Sequence, residues 1–527
     1  MSAMVVSSPL HARSAVELKQ LLDDGSLTSV ELVEALHARA DETEPRVGAF
    51  AHQFRKAALA DAAKADAARR AGGELGPLHG LPVTIKENVD TEGVPSTIGM
   101  RARRGAVAAA DAVVVQLLRE AGAIVLGKTN VPQTLLSPME TTNALYGTTH
   151  NPWKHGHGPG GSSGGEGAAI AAGSSLWGVG TDIGGSIRVP ASFCGVCGLK
   201  PTWQRWSNLG SNSVLAGQEF VLSQIGPMAR TVDDLILLMR ALDGGRHAAL
   251  DPLAPPVPFA EPGSVDPTTL RVGFYEDDGF FTPAASVRRA VREAAELFEA
   301  AGCEVVRFEP PNVEELLYLY FRGLTADGSA TLFEALEGEP FIPPLKTLGR
   351  IARMPQQARK GVAKAMGLMG EGRVAKMLEA LGEKRVKDLW VLNARRTELK
   401  RAEARAWERA GVDVVLAPTY VTPAAPMGMS HDFTLGFLNL ARYSLLDRPA
   451  GSVPVTRVRP DETKRTVLED RLDKRAAQIE AESHGMPVGV QVVGKPWAEA
   501  ELLAAMRLLQ TKARAREDYP VTPVDPR

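Results

Sequence analysis

One stretch of 35 residues, Gly158 to Ser192, restricts this chain more than any other: GPGGSSGGEGAAIAAGSSLWGVGTDIGGSIRVPAS. It carries two serine clusters bedded in glycine, Gly160-Gly161-Ser162-Ser163-Gly164-Gly165 and Gly184-Gly185-Ser186, on either side of an alanine-rich segment that reads as one helix. Glycine beside a hydroxyl lets the backbone take positive φ and lie close against a ligand, with N–H groups free to point at it. A packed core has no use for that pattern. A site that receives developing negative charge, an oxyanion hole, does.

Upstream, His79-Gly80-Leu81-Pro82-Val83-Thr84-Ile85-Lys86-Glu87-Asn88 reads as a short apolar strand, Val83 to Ile85, with a lysine at its end. Desolvation there disfavours the ammonium form, so the amine can act as a base near neutrality. Lys86, Ser162 and Ser186 are spaced by 76 and 24 residues (162 − 86 and 186 − 162). The arrangement resembles the amidase signature family, whose hydrolases use a Ser–Ser–Lys triad. The same resemblance is carried by Asn151-Pro152-Trp153-Lys154, PGGSSGGEGA from Pro159, GTDIGGSIR from Gly180 to Arg188 and FCGVCGLKPT from Phe193 to Thr202. Towards the far end Pro449 to Thr456 and Pro487 to Gln491 also fit.

The resemblance implies an α/β fold in which a large twisted mixed, mostly parallel central sheet is covered by helices on both faces. It implies Ser186 as nucleophile, Ser162, entered by a cis peptide bond, as proton relay, and Lys86 as base. Backbone N–H groups of Ile183, Gly184, Gly185 and Ser186 would hold the oxyanion, and Ser163, Asp182 and Arg188 would support the triad. No cofactor or metal is implied. The similarity is greatest to members acting on lipid amides such as N-acylethanolamines and primary fatty amides, and it puts Leu135 and Leu136 along the acyl chain. A homodimer is left open. Two other readings stand beside this one. The first is a broad amidase of small aryl or aliphatic amides. The second is the A subunit of a tRNA amidotransferase, which usually carries Thr where this chain has Ile183 and lacks the FCGVCG run.

Other motifs compete for the same residues. Lys128 also follows a short apolar strand, but its Thr-Asn-Val-Pro continuation fits a structural turn of the family, which favours Lys86. A phosphate loop needs Gly-Lys-Ser/Thr after its glycines, and none follows. Gly161-Ser162-Ser163-Gly164-Gly165 satisfies a nucleophile elbow with Ser163 central and would call on a later Asp and His, such as Asp447 and His484, but it leaves Ser186 without a job. His150, His155 and His157 sit in a Gly/Pro loop with no carboxylate or cysteine at ligand spacing. Cys194 and Cys197 have C-x-x-C spacing, but with Cys303 as the one other cysteine no second pair exists to complete a zinc site.

A net charge of −2 over 527 residues gives no bulk pull on nucleic acid. The N-terminus shows no basic region followed by an apolar one, so a cytoplasmic protein is expected. The chain is expected to be a single amidase signature domain over residues 1–527, with N-terminal helices in 1–75, the triad core in 76–245, a proline-rich connector in 246–268 and a basic amphipathic cap in 340–390. Two helices open with the capping boxes Ser14-x-x-Glu17 and Thr28-x-x-Glu31. The segment from Arg457 to Ser483 reads as an exposed charged helix. Residues 345–377 hold eight Lys/Arg against one acid, Glu371, with Leu, Ile, Val and Met between them. That pattern suits peripheral contact with the inner membrane surface, or equally a solvated helix pair over the core.

Overall fold

The computed structural model describes residues 8–341, 351, 353–430 and 433–526. Both N-terminal capping boxes form. Ser14 caps the helix Ala15–Asp23 and Thr28 caps Ser29–Val47, each accepting from the N3 backbone while Glu17 or Glu31 reaches back. A third helix, Arg55–Ala71, buries Ala58, Ala62 and Ala65 together with Asp66.

The strands are β1 (Phe50–Gln53), β2 (Pro82–Lys86), β3 (Ile124–Thr129), β4 (Thr141–Asn143), β5 (Gly147–Thr149), β6 (Trp177–Asp182), β7 (Cys197–Lys200), β8 (Gln224–Ala229), β9 (Arg271–Phe274), β10 (Glu304–Arg307), β11 (Val414–Pro418), β12 (Ala450–Arg457) and β13 (Pro487–Val493). All but the small β4–β5 pair belong to one 11-stranded sheet ordered β1-β3-β2-β6-β8-β7-β12-β13-β11-β9-β10. The mixed α/β sheet expected from the sequence is therefore present. Its balance differs from expectation. β3–β2, β2–β6, β11–β9 and β9–β10 are parallel, and the other six of the ten neighbouring pairs are antiparallel. Strands buried on both faces read as continuous apolar runs whichever way they point, so direction was not written in them.

β2, β3, β6, β8, β11 and β13 are buried along their whole length because helices cover both faces. Edge strand β10 is short and carries Glu304 and Arg307 at its ends around Val305 and Val306, which blunts a free edge. The segment expected as an exposed helix is α-helical only over Arg471–Ala481, with a short 3-10 turn at Pro460–Glu462. Ahead of it Arg465, 3% exposed, bridges Asp473 and Glu480 at 2.7 Å each, so this charge is structural. Of the basic stretch, residues 342–350 and 352 lie outside the described residues, and helices Gln356–Leu368 and Gly372–Ala380 follow. Among the described residues no helix is long and apolar enough to cross a membrane.

Candidate active site

β2 and β6 are parallel neighbours, with Thr84 opposite Gly178 and Ile85 opposite Val179. Their carboxyl ends, Lys86 on one and Thr181-Asp182 on the other, therefore open at the same rim, where open α/β sheets place their ligands. Both serine clusters reach that rim. The helix Gly164–Ala172 begins directly after Ser162-Ser163, and the helix Arg188–Cys194 directly after the Ser186 loop. The Ser163 N–H donates to the Ser186 carbonyl at 3.0 Å and ties the clusters together.

Lys86 Nζ lies 2.7 Å from Ser162 Oγ, 2.7 Å from Thr181 Oγ1 and 3.3 Å from the Thr181 carbonyl. The amine is fully buried, and burial pushes its pKa down to about 7 against the upward pull of Asp182, Glu166 and Glu87. Glu166, beneath it, is itself pushed up to about 8 by burial despite the Thr84 hydroxyl 2.6 Å from its Oε2. Burial falls off from Lys86 (0%) to Ser162 (2%) to the half-buried Ser186. The Gly161–Ser162 peptide is cis, as the family resemblance implied.

The loop from Ile183 to Ile187 is fixed from below by Asp182. Its carboxylate accepts from the backbone N–H groups of Gly185 (2.7 Å) and Ile187 (3.2 Å) and from Arg188 Nε (2.9 Å) and Nη2 (2.8 Å). Burial would raise this carboxyl, but the Arg188 guanidinium outweighs it and holds the pKa near 2. Arg188 goes on to Gln491 Oε1 (2.6 Å) and Ser444 Oγ (2.9 Å), which anchors the loop to β13 and to the helix Leu438–Leu445. Gly185 takes φ +119°, and a Cβ there would lie 2.6 Å from Leu440 Cδ1, so only glycine fits. Its N–H, expected to face an oxyanion, is committed to Asp182. Ser163 is fully buried, with its Oγ 3.4 Å from both the carbonyl and the N–H of Thr181.

The rival residues go elsewhere. Lys128 pairs with Ile85 in the β2–β3 register, whereas Lys86 pairs with Thr129. One residue of offset turns Lys128 to the opposite face, where it donates to the Pro95 carbonyl (3.0 Å) and Ser96 Oγ (2.9 Å). Asp447 is held by Arg396 and Lys400, and His484 borders a cleft with Lys154 and Arg457, so the elbow's partners do not assemble round Ser163. Cys194 donates to the Pro159 carbonyl at 3.3 Å, and burial pushes its thiol far up. Leu135 and Leu136 pack against a small apolar cluster of Ile98, Met100, Val214, Leu332 and Leu336, apart from the main core.

Sequence reasoning missed Thr181, the second hydrogen-bond partner of the amine. Its signal was present: it directly precedes Asp182 at the end of an apolar strand, on the same rim as Lys86. It also missed Tyr320, which comes from the helix Val313–Leu324 with no local motif and whose hydroxyl stands over Gly184.

A buried amine–hydroxyl pair beside glycine-bedded serines, on a mixed sheet covered by helices, defines an amide hydrolase. The comparisons agree. The Amidase family model matches residues 31–503. A fatty-acid amide hydrolase 1 of Sus scrofa is 40% identical over 438 residues, covering 82% of this chain and 75% of the relative. The A-type subunit of a glutamyl-tRNA(Gln) amidotransferase, from Chloroflexus aggregans, is 33% identical over 516 residues, covering 94% and 95%. A solved fatty acid amide hydrolase superposes with a TM-score of 0.83 at 28% identity, covering 96% of this chain and 85% of that one. This chain belongs to the amidase family.

Proposed function

We propose that the enzyme hydrolyses lipid amides through an acyl-enzyme on Ser186. The observation that carries the reading is the 2.7 Å contact between Lys86 Nζ and Ser162 Oγ in a fully buried site. In its neutral form Lys86 has one lone pair, which accepts the Ser162 proton, while its N–H groups donate to the Thr181 hydroxyl and carbonyl. Ser162 in turn takes the Ser186 proton as Ser186 Oγ attacks the carbonyl carbon. The oxyanion is received by the N–H groups of Ile183, Gly184 and Ser186. Collapse of the tetrahedral intermediate breaks the C–N bond, and the proton returns along the same wire to the leaving amine. Water then repeats the sequence on the ester. A fluorophosphonate should label Ser186 by mass-spectrometric mapping, and loss of label together with activity in Ser186→Ala would be the matching result. Label on any other serine overturns the assignment.

The lipid substrate is supported by the apolar cluster around Leu135 and Leu136 and by the relatives named for fatty amides. An acyl chain that buries its methylenes against apolar side chains gains about 0.8 kcal/mol per CH₂, so kcat/KM should climb about fourfold per methylene from butyryl to oleoyl ethanolamide until no further methylene is buried. A flat series would sink the lipid reading and favour small amides. The amidotransferase reading is kept alive by the near-complete overlap with that relative. Amide hydrolysis by the chain alone excludes it.

Membrane contact through 345–377 is supported by exposed Leu368 (82%) and Met369 (67%) beside exposed Lys360 and Lys364. Trp390, on the helix Val386–Ala410 that follows the stretch, is 70% exposed. Other cations of the stretch have structural work: Arg373 pairs with Asp470 and Asp473, and Arg359 is buried against the Leu381 carbonyl. The enzyme should therefore sediment with phosphatidylglycerol vesicles, and Lys360→Glu with Lys364→Glu and Leu368→Glu should abolish it. Equal sedimentation of the triple variant rules the surface out.

A further inference from the structure

Tyr320 lies 134 residues beyond Ser186 (320 − 186), in the helix Val313–Leu324, and is 3% exposed. Its ring is held edge-on by Phe321 (centroids 5.7 Å, 85°) and Phe437 (5.6 Å, 72°), which also meet each other at 5.9 Å. The aromatic set fixes where the phenol points. A Cβ built on Gly184 would fall 2.6 Å from Tyr320 Oη and 3.4 Å from Phe437 Cε2, so the hydroxyl fills the volume that a side chain at position 184 would take.

That hydroxyl bonds to no described residue. Unlike Tyr420 Oη, it is not among the described side-chain oxygens that are both sealed and unpartnered, so it keeps accessible surface on which a ligand can supply the partner. Other buried phenols are satisfied: Tyr275 and Tyr443 share a bond of 3.1 Å, Tyr318 donates to the Arg373 carbonyl, and Tyr519 meets Gln510. Tyr420, which also lacks one, stands over Gly436 instead. Tyr320 alone among these faces the glycine loop that carries Ser186.

We propose that Tyr320 is a catalytic residue: its hydroxyl donates a hydrogen bond to the substrate carbonyl oxygen, and a stronger one to the oxyanion that this oxygen becomes. It supplements the backbone donors of Ile183, Gly184 and Ser186 and replaces the Gly185 N–H that Asp182 has taken. The inference rests on the reading of Ser186 as nucleophile. No proton changes hands, since the O–H bond stays intact and only its dipole is used. Burial and the nearby Asp182 carboxylate push the phenol's ionisation well above its ordinary range, against the smaller pull of Arg188, so it remains a donor at every working pH.

The test is Tyr320→Phe, which keeps the ring between Phe321 and Phe437 and removes one oxygen. kcat should fall about 10- to 100-fold with KM within about twofold. The loss should be equal for an amide and its matching ester and for different amine groups, because all share the carbonyl. The thermal midpoint and the pH profile should not move. Unchanged kcat overturns the proposal. So does a loss confined to KM, or one confined to hydroxyl-bearing amines, which would place the phenol on the leaving group. Fluorophosphonate labelling run in parallel separates the two layers. Label on Ser186 with normal Tyr320→Phe turnover removes Tyr320 alone, whereas label on another serine removes the nucleophile assignment and this inference with it.

Discussion

Lys86→Ala should lower kcat/KM for amides by about 10²- to 10⁴-fold, the range lost with a positioned general base. The pH dependence separates loss of the base from loss of shape. The wild-type amine has its pKa lowered to about 7 by burial, and in the proposed mechanism only its neutral form accepts the Ser162 proton. The wild-type rate should therefore rise through pH 7 and level above it. The alanine variant should lose that step and climb steadily with hydroxide concentration instead. A retained inflection near 7, or unchanged turnover, would remove Lys86 from the proton path. Stability should move the other way. A lysine uncharged in the fold but charged when unfolded leaves the unfolded state binding more protons between pH 7 and 10.5, so stability rises across that window and the burial cost is fully present below it. Lys86→Met should therefore be more stable than wild type at neutral pH, on the order of a few kcal/mol, and the gap should close as pH rises towards that of the free amine. Chemical denaturation of both at two pH values measures it. An enzyme that gains stability when its base is removed holds that base for chemistry and not for packing.

The site was legible where its chemistry is local. Glycines that permit a tight loop must stand beside the serines they serve, and a base at the end of a strand must follow an apolar run, so Lys86, Ser162, Ser186 and Asp182 could all be picked out in one dimension. Thr181 could have been found by carrying that logic one step further, since the parallel neighbour of a strand ending in a base presents its own end to the amine. Tyr320 could not. It reaches Gly184 through helix packing against Phe437, and a tyrosine among Leu and Phe on an amphipathic helix reads as core. The fold divides in the same way. Capping boxes fix helix starts within a few residues, whereas antiparallel pairs such as β12–β13 depend on long connections that leave no mark in the strands. In the basic stretch the sign of the charge was readable but its partners were not, because Asp470 and Asp473 come nearly a hundred residues after Arg373.

Asp182→Ala should cost about 3–5 kcal/mol of stability, the penalty for leaving the fully buried Arg188 without its counter-charge. The wild-type pair should also show in acid. With a pKa near 2 against an ordinary 3.8, Asp182 contributes stability that is present above the latter value and lost as pH falls through the former. Removing both charges distinguishes the pair's two jobs. Asp182→Leu combined with Arg188→Met fills the space with apolar atoms and should recover most of the stability, since a buried ion pair is often replaceable at little net cost. It should not recover turnover. The Gly185 and Ile187 N–H groups lose their acceptor, the tether from the loop to Gln491 and Ser444 is cut, and a displacement of about 1 Å at the nucleophile is enough to lose about 10²-fold in kcat. A folded double variant that turns over at the wild-type rate would show that the loop around Ser186 is held by its own glycine geometry and the packing of Leu440. A folded but inactive one assigns the ion pair to holding the Ser186 loop in place, a role that stability alone would not require.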